Sequence, residues 1–390
     1  MTRLLNEPMT RVSIITTINH NCGDDLVREG IIHLLKQALG PIKIKLIHKH
    51  LPITTRPEFS WLHSSGVDAK LLRSHPNSVE RWTRRIDSLL PIFPWSDKLC
   101  NCDVLVQSGA PIYWLSAGYD CAHNEWWFPL IERRWKARAA GRPFLNLAGG
   151  ACQHWHSDGS EFANRPDVLA YIRQFFDLAK VTTLRDELSA KILGLAGRKA
   201  EVLPCTSIFA ADQIGVVPLK GEYVVLNYMP GGGHYSFGQQ IDAALWEQRF
   251  VSFAKAIAAR GRCILVCHDQ KEIRAAKNLL PGMETFYSDS YADYLRVYAK
   301  AHWGVMNRVH GAFALASLGK PAAVIGSDTR AQMASILGLP VVFVNDATPE
   351  WLMSQATSLH ERKDSFATQM ATLKADAKRR YLQSLKAALN

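Results

Sequence analysis

The stretch Arg11-Val12-Ser13-Ile14-Ile15-Thr16-Thr17-Ile18 is followed, after a short polar loop, by Asp24 to Leu39 with apolar residues at helical spacing. The first segment reads as a buried, β-branched strand and the second as a helix packed on it. Together they form a βα unit, and the unit repeats. Further strands are expected at Ile42–His48, Asp103–Gln107, Pro143–Leu147, Val181–Leu184 and Ala200–Leu203, with helices around 79–90, 124–140, 167–179 and 186–196. Apolar strands separated by helices argue for a parallel sheet covered on both faces.

A turn-prone passage, Gln213-Ile214-Gly215-Val216-Val217-Pro218-Leu219-Lys220-Gly221-Glu222, then interrupts the alternation. Beyond it a second series begins: strands Tyr223–Tyr228, Cys263–Cys267, Glu284–Tyr287, Trp303–Asn307, Pro321–Ile325 and Pro340–Val344, separated by helices that include Arg330–Leu337. The chain has 390 residues, more than a single core usually holds, so two domains are expected. The expected division is 1–212, 213–365 and a terminal helix over 366–390. Two α/β halves of this kind bind ligands beyond the carboxyl ends of their strands, and the loops there are where chemistry should lie.

The composition narrows the class. Hydrophobic residues make up 47%, ample for two cores, and no run approaches the roughly 18 apolar residues of a membrane span. The beginning, Met1-Thr2-Arg3-Leu4-Leu5-Asn6-Glu7-Pro8, lacks the apolar region of a signal peptide, so a soluble cytoplasmic protein is expected. Eight scattered cysteines fit reduced, buried thiols better than a disulfide framework. Cys100 and Cys102 lack a second pair at zinc spacing, and Cys152, His154, His156 and Asp158 lie in loop-like sequence, so no metal is expected. The balance of 46 Lys+Arg against 35 Asp+Glu gives +11, which predicts an anionic partner without choosing one.

Three strand-to-helix junctions carry the candidate chemistry. In Val305-Met306-Asn307-Arg308-Val309-His310-Gly311-Ala312 a strand ends and a helix begins at once, so unpaired backbone N–H groups and the helix dipole favour an anion. Arg308 offers a fork for carboxylate or phosphate, or else a structural pair for an acid; His310 could move a proton near neutral pH or merely cap the turn. In Thr183-Leu184-Arg185-Asp186-Glu187-Leu188-Ser189, Asp186 reads as a helix cap, and Arg185 as either a ligand contact or a salt bridge. In Asn19-His20-Asn21-Cys22-Gly23-Asp24-Asp25, Gly23 permits a tight turn, and Asp24 either caps the helix or serves as a base. Gln107-Ser108-Gly109-Ala110 is a small-residue turn at another strand tip that lets a ligand approach the backbone.

In order along the chain, these pieces resemble the polysaccharide pyruvyl transferase family. The family's Asn-x-Gly-Asp loop is here Asn21-Cys22-Gly23-Asp24, and its Asp-led strand ending in glycines is Asp103-Val104-Leu105-Val106-Gln107-Ser108-Gly109. Its Arg-Asp-x-x-Ser helix start is Arg185-Asp186-Glu187-Leu188-Ser189, and its Arg-x-His-Gly strand end is Arg308-Val309-His310-Gly311, followed by Gly319-Lys320-Pro321. The resemblance implies two Rossmann-like domains facing across a cleft, similar to the GT-B glycosyltransferases, with the acceptor on the first domain and the donor on the second. It implies transfer from phosphoenolpyruvate to a sugar of a surface polysaccharide or its lipid-linked precursor, as a ketal. Arg185, Arg308, Asn21, Gly23, Ser108, Gly109 and Gly311 would bind substrate, and His310 and Asp24 would serve catalysis. The chemistry demands acid-base groups and oxyanion stabilisation, with no metal or redox cofactor. The chain departs from the family at Pro204-Cys205, where Pro-Asp is usual, and at Ser108-Gly109, where paired glycines are usual.

Other features stay open. The loop Met229-Pro230-Gly231-Gly232-Gly233-His234 could cradle phosphate or be an ordinary turn, and Tyr113, Trp114, Trp126, Trp127, Phe128 and Trp155 could stack on sugars or fill cores. A glycosyltransferase using a nucleotide sugar is the alternative function. The charge alone would admit nucleic acid, but no recognisable motif supports it, and none is expected as a partner. In the terminal run, Met370, Leu373, Ala377, Tyr381 and Leu385 form a helical stripe bordered by Lys374, Lys378, Arg379, Arg380 and Lys386. That helix either packs back on the first domain or, with the basic segment around 132–142, holds the protein at the inner face of an anionic membrane.

Overall fold

The computed structural model describes residues 9–17, 22–48, 54–55, 101–109, 111–115 and 141–389. Asn21, the helices expected around 79–90 and 124–140, and Trp126-Trp127-Phe128 lie outside the described residues.

Strand β1 (Thr10–Thr16) is buried from Val12 onward, as its β-branched run requires, and helix α1 (Cys22–Leu39) follows with Asp24 and Asp25 in its first turn. Parallel to β1 lie β2 (Ile42–His48) on one side and β4 (Val104–Ser108) on the other. The short β3 (Thr54–Thr55) pairs antiparallel with β2, and β5 (Pro111–Tyr113) pairs with β6 (Phe144–Ala151). With β7 (Val181–Leu184) and β8 (Glu201–Val202) the main path of the sheet reads β3-β2-β1-β4-β6-β7-β8. The second half contains β9 (Tyr223–Asn227), β10 (Cys263–Val266), β11 (Glu284–Phe286), β12 (Ala301–Met306), β13 (Ala322–Gly326) and β14 (Val341–Phe343). Its order is β11-β10-β9-β12-β13-β14, every pair parallel. This is the Rossmann order, and both sheets reverse winding direction between their first and fourth strands. Each reversal parts two successive loops at the carboxyl edge and opens a crevice there.

The two halves share a core. One apolar cluster runs from Ile14 and Val27 in the first half to Phe313 and Leu337 in the second. Arg28, fully buried on α1, pairs with Asp25 and Glu29 and lies 5.3 Å from the ring centroid of Tyr291 across the boundary. The segment after β6 is stitched into the second half: Gln153 N donates to Thr329 Oγ1 (2.9 Å), Trp155 N donates to Gln239 Oε1 (2.9 Å), and the Trp155 ring meets Phe343. The loop Cys152–Asp158 therefore joins the halves, and Trp155 packs in the second half's core instead of presenting a stacking face. Among the described residues no cluster of three or more His, Cys, Asp or Glu is arranged to hold a metal.

The terminal helix is longer than its clean stripe suggests, running Pro349–Leu389. Its first part buries Leu352, Ala356 and Leu359 in the second half's core. Its second part buries Phe366, Met370, Ala377, Tyr381 and Leu385 in the shared cluster, each large side chain adding about 1.5–3 kcal/mol. Three of the basic residues beside that stripe are engaged in ion pairs. Lys374 meets Asp212 (3.0 Å), Arg380 meets Glu201 (2.8 Å) and Arg379 meets Asp376 (2.5 Å). No helix among the described residues is long and apolar enough to cross a membrane. The segment expected as helix Arg330–Leu337 is a 3-10 run over Ala331–Leu337, closed by Gly338 at φ 68°.

Candidate active site

The carboxyl edges of both sheets meet around one cleft that is partly open to solvent. Loops from both reversal points line it: Gly23 and Asp24 after β1, Gly109 after β4, the glycine turn Met229–His234 after β9, and Asn307 to His310 after β12. Arg185, His268, Ser327, Asp328 and Arg330 come from the tips of β7, β10 and β13.

Six of the residues singled out from sequence therefore converge: Gly23, Asp24, Gly109, Arg185, Arg308 and His310. Two do not line the cleft. Ser108 is buried at the end of β4, and Gly311 lies under the site, where a Cβ would collide with Met306 and stand 3.1 Å from Tyr298 Oη. Gly311 thus serves packing. The neighbouring acids on α1 divide their tasks: Asp25 pairs with Arg28, whereas Asp24 faces the cleft.

The three arginines differ in what they already hold. Arg308 Nε donates to Glu272 Oε1 (2.6 Å), Nη2 donates to Asp269 Oδ2 (2.6 Å), and Nη1 contacts His234 Nε2. Its backbone N–H is accepted by Asn227 Oδ1 (2.8 Å), and Asn227 also donates to Glu272 Oε2. Both alternatives read from sequence meet here: Arg308 lines the cleft and is also a structural pair for acids. Burial raises the Glu272 carboxyl and the Arg308 charge opposes that shift. Arg330 is forked on Asp328 (2.8 and 2.6 Å) and lies 4.8 Å from the Tyr235 ring centroid. Arg185 is only 2% exposed, yet its Nε has no hydrogen-bond partner among the described residues. Its neighbour Asp186 is the helix cap expected, accepting from Ser189 N (2.7 Å) and also from Ala151 N.

His310 stands at the start of the helix Val309–Ser317, wedged against the first half. Its Nε2 lies 3.9 Å from Cys205 Sγ, and a Cβ on Gly23 would stand 2.5 Å from its Nδ1. Burial lowers its pKa to about 3, helped by the Arg185, Arg330 and Arg308 charges and opposed by Asp24. The ring is thus neutral at pH 7 and, as it stands, a weak base, because burial and the three arginines oppose imidazolium. His268, buried behind it, is hydrogen-bonded to Tyr298 Oη (2.7 Å).

Sequence reasoning missed Arg330, Asp328, Glu272, Asp269 and His268. Arg330 had a signal: Ser327-Asp328-Thr329-Arg330 directly follows a buried strand tip, the same pattern that marked Arg185 and Arg308. Glu272 and Asp269 had none, since 36 and 39 residues separate them from Arg308.

Two Rossmann-like domains with one cleft between their carboxyl edges define a protein of GT-B-like architecture. UDP-GlcNAc 2-epimerase from Neisseria meningitidis, solved with UDP-GlcNAc, superposes at TM-score 0.54 with 12% identity, covering 96% of this chain and 99% of its own. A putative UDP-N-acetylglucosamine 2-epimerase from Listeria monocytogenes gives TM-score 0.55 with 10% identity, covering 93% of this chain and 91% of its own. The UDP-GlcNAc 2-epimerase of Methanocaldococcus jannaschii, with UDP-GlcNAc and UDP, gives 0.51 with 12% identity over 90% and 92%. At these identities the likeness is one of fold. The chain belongs to the polysaccharide pyruvyl transferase family, whose profile matches residues 21–329. No curated protein matches it by sequence.

Proposed function

We propose that the protein transfers the pyruvyl group of phosphoenolpyruvate to two hydroxyls of a sugar, forming a pyruvate ketal and releasing inorganic phosphate. Family membership supports a polysaccharide sugar as the acceptor. The observation that carries the donor is Arg185, a buried guanidinium that lines the cleft with its Nε packed on Gly150 and with no salt bridge among the described residues. A buried cation is costly unless opposite charge is near; Asp186 supplies part of it, and phosphoenolpyruvate would bring a carboxylate and a phosphate.

The balance of the reaction fits the proton inventory. One sugar hydroxyl adds to C2 of the enolpyruvyl group as C3 gains a proton; a second hydroxyl then closes the ring as the C2–O bond to phosphate breaks. Two hydroxyl protons are lost, one balanced by C3 and one by the departing phosphate. His310 is neutral in the arginine-rich cleft, and the negative charge of bound phosphoenolpyruvate, with Asp24, would raise its pKa toward the range in which it takes the proton of an attacking hydroxyl. Asp24 lies on the same cleft wall, placed to orient that hydroxyl and to stabilise the imidazolium that forms. Arg330 and Arg308 add positive field where the phosphate develops charge.

The test offers phosphoenolpyruvate and nucleotide sugars with a panel of saccharides, reading phosphate release and the mass of the product. Phosphate release with one pyruvate ketal gained supports the reading; release of a nucleoside diphosphate instead would make the protein a glycosyltransferase.

A further inference from the structure

His310 belongs to the second half of the chain, but the groups against its two ring nitrogens belong to the first. Cys205 Sγ faces Nε2 at 3.9 Å, a contact at the long range typical of a weakly bonding thiol, and the Gly23 Cα backs onto Nδ1. Cys205 is fully buried and its place is fixed from two sides. Tyr381, fully buried on the terminal helix, donates its hydroxyl to the carbonyl of Pro204 (2.9 Å), the residue before Cys205. Thr206, the residue after, donates Oγ1 to Val27 O (3.0 Å), and α1 comes so close that a Cβ on Gly30 would overlap the Thr206 carbonyl. A chain of contacts thus runs from the terminal helix through Pro204 and Cys205 to the imidazole.

We propose that Cys205 is the positioning residue for His310, held in place by Tyr381 and Pro204. The inference rests on the proton-accepting role of His310 given above. The charged and titratable groups around the ring come from every side: Asp24 on α1, Arg185 after β7, Arg308 beside it, Arg330 after β13, and His268 after β10. Asp24 alone among them favours imidazolium. The sulfur at Nε2 orients the ring by direct contact. A carboxylate at this position would stabilise imidazolium beforehand.

The experiment compares wild type, Cys205→Ser, Cys205→Ala and Cys205→Asp, with thermal midpoints as the check of folding. Phosphate release is followed against pH, and the His310 ring is titrated by NMR in the same proteins. Cys205→Ala should lower kcat about tenfold or more with KM for phosphoenolpyruvate within about twofold, as expected when orientation is lost and binding kept. Cys205→Ser should restore most of kcat. Cys205→Asp should raise the His310 midpoint and carry the acidic limb of the kcat profile to higher pH, because the base must be deprotonated to act. A wild-type kcat in Cys205→Ala, or an unmoved His310 midpoint in folded Cys205→Asp, overturns the inference. If wild type releases no phosphate from phosphoenolpyruvate, the functional reading fails, while the NMR midpoint still decides whether Cys205 governs the ring.

Discussion

The guanidinium of Arg185 packs directly over the Cα of Gly150: a Cβ there would stand 2.8 Å from Arg185 Cζ and Nη2, and closer still to Nε. Gly150 lies inside β6, where a glycine weakens a strand unless something must approach the backbone. Here the cation at the cleft is what approaches. Gly150→Ala should therefore push Arg185 out of place and weaken phosphoenolpyruvate binding by about 1–2 kcal/mol, less than the roughly 1.5–3 kcal/mol expected for Arg185→Ala itself. Isothermal calorimetry on the two variants checks the order.

Arg185 and Arg308 should fail in different ways. Removing Arg308 leaves the buried Glu272 and the half-exposed Asp269 without their partner, so Arg308→Ala should lower unfolding stability by about 3 kcal/mol. Arg185 makes no salt bridge among the described residues and only offsets the burial of Asp186, so Arg185→Ala should cost less stability than Arg308→Ala while donor affinity falls. Thermal unfolding and donor titration, run side by side, separate the two. Equal melting temperatures would mean that Arg308 is not the structural ion pair its geometry describes.

Much of this arrangement is legible in the sequence. The β-branched run of β1 and the helical period of α1 are local signals, and the loops after β1, β4, β7 and β12 reach the cleft because parallel strands all end on one edge. What could not be read is what each arginine holds. Arg185 and Arg308 look alike in sequence, each closing an apolar strand ahead of a helix, yet Arg308 is held by two acids at the start of the helix after β10 and Arg185 keeps an unpaired Nε. The fate of Asp24 against Asp25 depended on Tyr291, which closes over Arg28 from the second half and keeps Asp25 occupied. The early start of the terminal helix was hidden because its first turns face a different core from its last ones.

The lowered pKa of His310 has a consequence for stability. An unfolded histidine takes up a proton near pH 6.5, whereas the folded one resists protonation until about pH 3. Between those values unfolding binds a proton, so stability is lost as pH falls from 6.5 toward 3. His310→Gln removes that proton uptake. Between pH 7 and pH 5 wild type should lose on the order of 1–2 kcal/mol more than His310→Gln in urea unfolding. Parallel stability curves for the two proteins would show that His310 titrates normally in the fold.

The strictest test of the cleft joins Gly23 and His310. A Cβ at Gly23 would stand 2.5 Å from His310 Nδ1 and 3.0 Å from its Cβ and Cγ, so Gly23→Ala forces the imidazole to turn or the helix bearing it to shift. The effect should fall on turnover, because Gly23 gives way at the base and the arginines keep the donor. His310→Gln should cut kcat by about 100-fold or more, the usual worth of a general base. Gly23→Ala should cost a comparable factor with KM for phosphoenolpyruvate little changed. If both act through one imidazole, the double variant should be hardly worse than His310→Gln alone, since residues in direct contact do not add. Full additivity in kcat would show that Gly23 serves the reaction by some route other than His310.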